Sequence, residues 1–350
     1  MPADWRALTL PTERWHAGRW LHHGLGARLA DARGERPTYR APAAGTGAVP
    51  ATDDAARGVA PPLSPEPAAR NPILTAATLG LDGGVVADPF LFLTDERWHL
   101  FFEVYRPSAD PPAAIAHAAS ADRGRTWTYS GVVLDPGVHL AFPHVFAWGG
   151  ERYMLPDPWS EREGVAADFA LYRATDFPTE WERVATPLAP DIELHDCVPV
   201  HHGGRWWALA AAEGDLYVFY SDELVADDWT PHPENPVVTD RPEGVRPAGR
   251  PVAREGGFLL FTQDCAERYG ERVWAYEVTE LTPDSYSDER AGAAPVVGPA
   301  GGVGWNSGRM HHVDAWLLDD RWLCAVDGNI GFGKPAFGDH WAIGLYEQPL

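Results

Sequence analysis

The stretch Ala87-Asp88-Pro89-Phe90-Leu91-Phe92, followed by Trp98-His99-Leu100-Phe101-Phe102-Glu103, decides the fold because its pattern recurs along the chain. Successive steps of 54 residues from Asp88 lead to Phe142, Asp196 and Arg250. Each of these anchor positions lies beside a short apolar run, and a second such run begins about ten residues later. A period of this size indicates a repeat architecture.

A fifth unit lies further along the chain, beyond an insertion. Working back ten residues from Trp322 places its anchor at His312. All five units contain a second run, a turn rich in Gly or acidic residues, and a third run such as Leu216-Tyr217-Val218-Phe219-Tyr220. Short runs with this turn chemistry and no helical period predict antiparallel strands. Sheets of three or four such strands stacked radially form blades, so the sequence predicts an all-β fold, a five-bladed β-propeller.

The two ends of the chain differ in composition. Residues 1–70 are predicted to be an N-terminal extension that ends in a Pro/Ala/Gly-rich linker, and residues 71–350 the propeller. Within the first unit, Ser120-Ala121-Asp122-Arg123-Gly124-Arg125-Thr126-Trp127 fits the Asp-box hairpin of sialidase-like propellers. Its Asp is expected to brace the turn and its Trp to pack between sheets.

The charge balance limits the partners that the protein can have. The formal net charge is −22, and the lysine content is a single residue, Lys334. Such a surface is typical of proteins that work in molar salt, so we expect a halophilic source. The charge argues against nucleic acid and anionic membranes as partners. Neither a membrane span nor a secretory signal is predicted, which favours a cytoplasmic location.

The repeat also predicts where chemistry would take place. In a propeller blade the first strand begins, and the second ends, on one face, so an anchor and the residue about fifteen positions later should meet at the central channel. Acidic residues recur at these positions. The carboxylates predicted to be catalytic are Asp88, Asp157 and Asp196. Opposed carboxylates can act as general acid and as base or nucleophile, although carboxylates at strand ends also cap turns.

Other polar residues on the same face are predicted to bind substrate. They are Glu103, His144, Arg250, Asp264 and His312. An arginine there can hold an anionic group or orient a catalytic Asp. The histidine spacings do not match a standard zinc signature, so no metal and no cofactor is predicted. Among the histidines, His312 would be the best placed to hold an ion in the channel.

Several segments resemble a known family. Asn71-Pro72-Ile73-Leu74-Thr75, the Asp88 stretch, Phe142-Pro143-His144-Val145-Phe146 and Gln263-Asp264-Cys265 are similar to the five-bladed propeller at the N-terminal side of plant glucosamine inositolphosphorylceramide transferases. The resemblance covers about residues 71–328. More distantly, the chain resembles glycoside hydrolase families 43 and 32, in which an Asp of the first blade serves as base or nucleophile.

The resemblance implies a site, with some departures. The second blade has Leu-Pro-Asp157 where Ile-Pro-Glu is expected, and the third has His-Asp196-Cys in place of Asp-Pro. The resemblance therefore implies a catalytic role for Asp88 because its surrounding motif matches. For Asp157 and Asp196 it implies such a role only because they occupy the corresponding positions in their blades. The plant proteins join their propeller to a glycosyltransferase domain, and this sequence contains no segment long enough to be that domain.

Three functions remain open from the sequence. The leading hypothesis is a carbohydrate-active protein, glycosidase-like, acting on a sugar or glycoconjugate through acidic residues at the channel. The alternative is a non-catalytic glycan or sugar-nucleotide binding module that partners a glycosyltransferase. A protein-interaction propeller would instead expose a large apolar patch on one face.

Overall fold

The computed structural model describes residues 63–81, 84–159, 167–331 and 340–350. The regular structure in these ranges is β-strand apart from one 3-10 turn, Ala77–Leu79. The strands form five small antiparallel sheets arranged in a ring. The predicted five-bladed β-propeller is therefore confirmed, whereas the greater part of the predicted N-terminal extension lies outside the described residues.

The first three blades each contain four strands, which follow one another from the channel outwards. Two short strands, β1 (Ser64–Pro65) and β2 (Leu74–Thr75), precede them in the chain. The first blade consists of β3 (Val85–Leu93), β4 (Trp98–Tyr105), β5 (Ala113–Ser120) and β6 (Thr128–Leu134). The second consists of β7 (His139–Trp148), β8 (Glu151–Trp159), β9 (Phe169–Asp176) and β10 (Glu180–Leu188). The third consists of β11 (His195–His202), β12 (Arg205–Ala212), β13 (Asp215–Ser221) and β14 (Thr230–Pro231).

The last two blades are less regular. In the fourth, two short inner strands pair with the same neighbour, and the strands are β15 (Arg246–Pro247), β16 (Val252–Arg254), β17 (Gly257–Gln263), β18 (Val273–Thr282) and β19 (Ser285–Arg290). The fifth consists of β20 (Val313–Leu317), β21 (Arg321–Asn329) and β22 (Trp341–Pro349), with β1 and β2 paired along the outer edge of β22.

The fifth blade closes the ring because it joins both ends of the chain. Ser64 pairs with Glu347, and Leu74 pairs with Ile343. Asn71 strengthens this seam, since its amide nitrogen donates to Leu345 O at 2.7 Å and its oxygen accepts from Leu345 N at 2.8 Å. Ser64 and Pro65, which precede the predicted start of the propeller at residue 71, therefore contribute to its outermost strand.

Three of the four anchors spaced by 54 residues share an unusual backbone conformation, which Arg250 does not adopt. Asp88, Phe142 and Asp196 have φ values of 52°, 45° and 55°. A β-bulge lies at each of these positions, between the first and second strands of the blade. A left-handed residue that is not glycine is strained and persists where the surrounding structure holds it. In the first three blades the repeat seen in the sequence is therefore a repeat of backbone geometry, in which the side chain is free to differ.

Apolar side chains from facing blades fill the spaces between the sheets. One cluster contains Phe90, Phe101 and Phe142, each 0% exposed, and continues through the inner strands to the third and fourth blades. The large aromatic residues contact one another across blades, as where Trp148 meets Trp206 edge to face with ring centroids 4.8 Å apart. This packing holds the inner strands, and with them the channel residues, in fixed positions.

The predicted Asp box has the structural role expected of it. Asp122 accepts hydrogen bonds from the backbone nitrogen and the hydroxyl of Thr126, at 2.8 and 2.7 Å. Trp127 Nε1 donates to Gly124 O at 3.1 Å. Trp181 and Trp229 repeat this last contact with the carbonyl three residues before them, so the weaker echoes of the motif share its turn.

A buried histidine pair in the first blade makes stability depend on pH. His99 Nδ1 lies 3.0 Å from His117 Nε2, and the two side chains pack against Phe101 and Phe177. Burial lowers the pKa of His99 to about 4, with Arg97 and Arg152 adding to the effect. Burial and the neighbouring His99 lower the pKa of His117 to about 3. Both side chains are therefore neutral in the folded protein at pH 5.

We expect the free energy of unfolding to fall as the pH is lowered from 6.5 towards 4. In that range the unfolded histidines bind protons that the folded ones do not, which favours unfolding by roughly 5 kcal/mol at pH 4.5. Urea titrations at several pH values measure the slope, and His117→Phe should make it shallower. An equal slope in wild type and variant would show that acid acts elsewhere.

Candidate functional site

Buried carboxylates cluster where the first strands of the blades begin. The exposed fractions of Asp88, Asp157, Asp196 and Asp327 are 6%, 5%, 3% and 0%. Buried carboxylates require hydrogen bonds or a cation, so their partners decide what each can do. The four carboxylates fall into two groups with different partners.

Two of these carboxylates link neighbouring blades. Asp157, near the end of β8, accepts a hydrogen bond from the backbone nitrogen of Asp196 at 2.9 Å. Asp327, in β21, accepts one from the backbone nitrogen of Asp88 at 3.2 Å. In both cases the carboxylate near the end of a second strand holds the left-handed anchor of the next blade. This contact supplies part of the support that the strained anchors need.

Asp196 is held by the fourth blade. Arg246 Nε donates to Asp196 Oδ2 at 2.5 Å, and Gln263 Nε2 donates to the same oxygen at 2.7 Å. Gln263 also donates to Pro247 O at 3.1 Å, which fixes the orientation of its amide. The carboxylate is thus oriented by two side chains of one blade.

Asp88 has imidazole neighbours from the fifth blade. Its Oδ1 lies 3.7 Å from His311 Nδ1 and 3.8 Å from His312 Nδ1. His311 Nδ1 is closer to Asp327, at 2.8 Å from Oδ2, and the backbone nitrogen of His311 donates to Asp327 Oδ1 at 3.0 Å. Asp88, His311 and Asp327 each offer a donor atom to one small space, with these atoms all within 4.8 Å of one another.

The environment changes the proton affinities of these groups. Burial, and then the negative charges of Asp196, Glu103 and Asp327, raise the pKa of Asp88 well above its usual range. Burial and the charge of Asp196 raise the pKa of Asp157 in the same way. Burial alone would raise the pKa of Asp327, but the His311 imidazole outweighs it and lowers that pKa. Carboxyl groups with opposite shifts therefore lie in one cluster, an arrangement common at functional sites.

Two of the five residues predicted to bind substrate, Glu103 and His312, lie next to the carboxylate cluster. Glu103 pairs with Ala87 in the strand ladder, and its Oε1 lies 3.6 Å from His139 Nε2 of the second blade. His312 is fully buried, with its ring against Phe90 and Phe142. Burial lowers the pKa of His312 to about 3.

The other three are placed differently. Arg250 is 3% exposed and its guanidinium donates to Asp314 Oδ1 at 2.9 Å and to Leu91 O at 3.1 Å. His144 is fully buried and stacks on Phe90 with ring centroids 4.9 Å apart. Asp264 accepts hydrogen bonds from Trp274 Nε1 at 3.1 Å and from the backbone nitrogen of Ala266 at 3.2 Å. Arg250 and Asp264, which the repeat predicts to meet, are therefore bound to different partners.

A cleft of 710 Å³ opens beside the cluster, between the third, fourth and fifth blades. Its polar lining includes three arginines, a histidine, a tyrosine and an asparagine, namely Arg246, Arg268, Arg309, His195, Tyr269 and Asn329. Tyr269 is 43% exposed, and Arg246 lies over its ring with Cζ 5.0 Å from the centroid. Arg246 connects the cleft to the buried carboxylates through its bond to Asp196.

Sequence reasoning missed several of these residues. The repeat predicts Arg250 as the channel arginine, whereas Arg246 lines the cleft. The segment around Gln263 carries part of the family resemblance, yet the hydrogen bond from Gln263 to Asp196 joins residues 67 positions apart, so local pattern could not show it. The repeat does bring His311 and Asp327 to the site. His311 directly precedes the fifth anchor, His312, and Asp327 lies near the end of β21, the second strand of that blade.

Comparison with known proteins places the chain in a family. Residues 62–329 match the family described as glucosamine inositolphosphorylceramide transferase 1, N-terminal. Over 272 residues the chain is 34% identical to glucosamine inositolphosphorylceramide transferase 1 of Oryza sativa subsp. japonica and 32% identical to that of Arabidopsis thaliana. The chain belongs to this family. The alignments cover 74% of the chain but only 35% of the rice protein and 34% of the Arabidopsis protein.

Solved structures share the fold at low identity. A putative glycosidase from Bacteroides thetaiotaomicron matches with a TM-score of 0.60 and 14% identity over 81% of this chain and 96% of that one. The catalytic domain of the GH62 α-L-arabinofuranosidase of Coprinopsis cinerea matches with a TM-score of 0.57 and 14% identity over 75% of this chain and 90% of that one. These likenesses establish a shared propeller architecture.

Within the ranges that the structure describes, no helix has the length and apolarity needed to cross a membrane.

Proposed function

We propose that this family member binds a sugar or glycoconjugate in the 710 Å³ cleft and acts on it in a glycosidase-like reaction. The observation that carries the proposal is that Arg246 lines a cleft of small-ligand size and also binds the buried carboxylate of Asp196. The glycosidases among the proteins of similar fold support a carbohydrate ligand.

The cleft lining suits a sugar. Arginine and asparagine side chains present fixed donors to hydroxyl or anionic groups, and the exposed ring of Tyr269 offers a face for stacking. Cleavage of a glycosidic bond needs one carboxyl group as acid and another as base or nucleophile. We assign the base or nucleophile to Asp88 and the acid to Asp157 or Asp196.

A specific observation favours the alternative function. Asp157 and Asp196 both make hydrogen bonds that brace neighbouring blades, which is a sufficient structural reason for each carboxylate. The chain also spans about a third of the named transferases. A non-catalytic glycan or sugar-nucleotide binding module that partners a glycosyltransferase would use the same cleft without cutting its ligand.

Binding and turnover of a glycan and sugar-nucleotide panel distinguish these functions. Because we propose a halophilic, cytoplasmic protein, the assays belong in molar salt. We expect Tyr269→Ala to weaken binding about tenfold by removing the stacking face, a change of about 1.4 kcal/mol. Tyr220→Ala is the matched control, since Tyr220 packs with Arg205 and Trp207 outside the cleft.

Asp88→Asn separates catalysis from binding. If Asp88 transfers a proton or attacks the sugar, the variant should bind ligand normally and lose turnover by at least a hundredfold. Binding without turnover in the wild type would favour the binding module. Absence of binding across the panel would contradict both functions and favour a protein-interaction propeller.

A further inference from the structure

The channel cluster of the first and fifth blades has the donor set of a metal site. His311 Nδ1 lies 2.8 Å from Asp327 Oδ2 and 3.7 Å from Asp88 Oδ1, and the three donor atoms are all within 4.8 Å of one another. We propose that Asp88, His311 and Asp327 bind one divalent transition-metal ion.

The spacing of the donor atoms fits such an ion. Zinc binds histidine nitrogen and carboxylate oxygen at about 2.0–2.2 Å, which puts ligand atoms about 2.8–3.6 Å apart in octahedral or tetrahedral geometry. The distances from His311 Nδ1 to Asp327 Oδ2, 2.8 Å, and to Asp88 Oδ1, 3.7 Å, lie close to the two ends of this range. Small side-chain movements therefore complete the site without moving the strands. One imidazole and two carboxylates suit zinc or manganese better than calcium or magnesium, which prefer oxygen alone.

A neighbouring side chain points to a ligand independently. His312 is 0% exposed, its Nδ1 lies 3.8 Å from Asp88 Oδ1, and among the described residues no hydrogen-bond partner meets that nitrogen. A buried nitrogen without a hydrogen-bond partner destabilises the folded protein unless a bound ion or water molecule interacts with it. An ion on Asp88, or a water molecule bound to that ion, would lie within reach of it.

The charges of the cluster also favour a bound cation. Asp88 and Asp327 carry buried carboxylates beside Asp196, whose own guanidinium partner is Arg246. The nearby Arg250 is engaged by Asp314 instead. An ionised Asp88 beside Asp327 is unfavourable without a compensating cation, and a divalent ion supplies two positive charges at the point where the two carboxyl groups meet.

The ring of His311 is already held in position. It stacks on Trp341 with ring centroids 4.0 Å apart, and the edge of Tyr269 meets it at 5.3 Å. Gly270 leaves room for the ring, since a Cβ there would lie 2.6 Å from His311 Cδ2. Fixed orientation of a histidine ligand by its surroundings is a common feature of metal sites.

The test is direct binding of ZnCl2 and MnCl2 to the full chain after removal of metals by EDTA and dialysis. Isothermal titration calorimetry and elemental analysis should give one ion per chain, with CaCl2 and MgCl2 binding at least tenfold more weakly. His311→Gln and Asp88→Asn should each weaken binding by at least a hundredfold. Circular dichroism confirms that the variants remain folded.

Asp157→Asn is the matched control, because Asp157 holds the next anchor's backbone nitrogen just as Asp327 does but is outside the donor set. It should bind one ion with unchanged affinity. Absence of one-to-one binding in the wild type, or equal loss in all three variants, would overturn the metal site. The inference does not rest on the proposed function: an Asp88→Asn protein that loses turnover but keeps the ion supports proton transfer by Asp88 and contradicts Asp88 as a ligand of the metal.

Discussion

Replacing Arg250 by methionine is expected to lower the free energy of unfolding by about 3–5 kcal/mol. Arg250 comes from the fourth blade, its partner Asp314 from the fifth, and Leu91 from the first. Asp314 Oδ2 also accepts the backbone nitrogen of Leu91 at 2.6 Å and Trp316 Nε1 at 3.2 Å. The variant would leave a fully buried carboxylate without its cation at a junction of three blades. Urea unfolding followed by tryptophan fluorescence measures the change.

Arg205→Met is the matched control. Arg205 also pairs with a carboxylate, that of Asp222 at 2.8 Å, and lies over an aromatic ring, but the Asp222 side chain is 78% exposed. Solvent-exposed ion pairs contribute little, so the unfolding midpoint should hardly move. The double variant Arg250→Met/Asp314→Leu should recover part of the loss, because it removes the buried charge. Equal midpoints for Arg250→Met and Arg205→Met would contradict the role given to the pair.

Gly249→Ala is expected to destabilise the propeller by a similar amount, about 3–5 kcal/mol, from backbone strain and overpacking. Gly249 has a φ of 142°, and a Cβ there would lie 1.9 Å from Val313 O. The contact is with backbone, and Val313 N donates to Ala248 O at 2.7 Å in the same junction. The fourth and fifth blades would have to separate locally to admit the methyl group. Thermal and urea unfolding both report the loss.

Gly256→Ala isolates the steric part of this effect. Gly256 also has a positive φ, 81°, but a Cβ there would meet nothing within 4 Å. We expect a loss of about 1 kcal/mol from the left-handed conformation alone. If the two alanine variants proved equally stable, close approach of the blades at Gly249 could not be a constraint on the fold.

The fold was predictable because its 54-residue period appears in the apolar side chains that pack between the blades. Strands rich in Phe, Leu and Trp recur at the same offset from each anchor, and burial of these residues leaves little choice of register. The closing strands β1 and β2 were not predictable in this way. They are two residues long each, and their pairing depends on β22 at the other end of the chain.

The candidate site was predictable only in its acidic half. Asp88 and Asp196 stand out as anchors, and strand direction brings Asp157 and Asp327 to the same face. The repeat does not show which arginine pairs with which carboxylate. Arg246 and Arg250 are only four residues apart, but Arg246 binds Asp196 of the third blade and Arg250 binds Asp314 of the fifth. Long side chains can choose among several partners, and only the three-dimensional arrangement decides between them.

The seam of the fifth blade determines when the molecule can be completed during its synthesis. Ser64 leaves the ribosome before its partner strand β22, because Glu347 lies 283 residues later in the chain. Four blades can therefore form on the nascent chain while the ring stays open. Until β22 is made, the edge strands on either side of the gap remain unpaired and available to the same edges of another nascent chain.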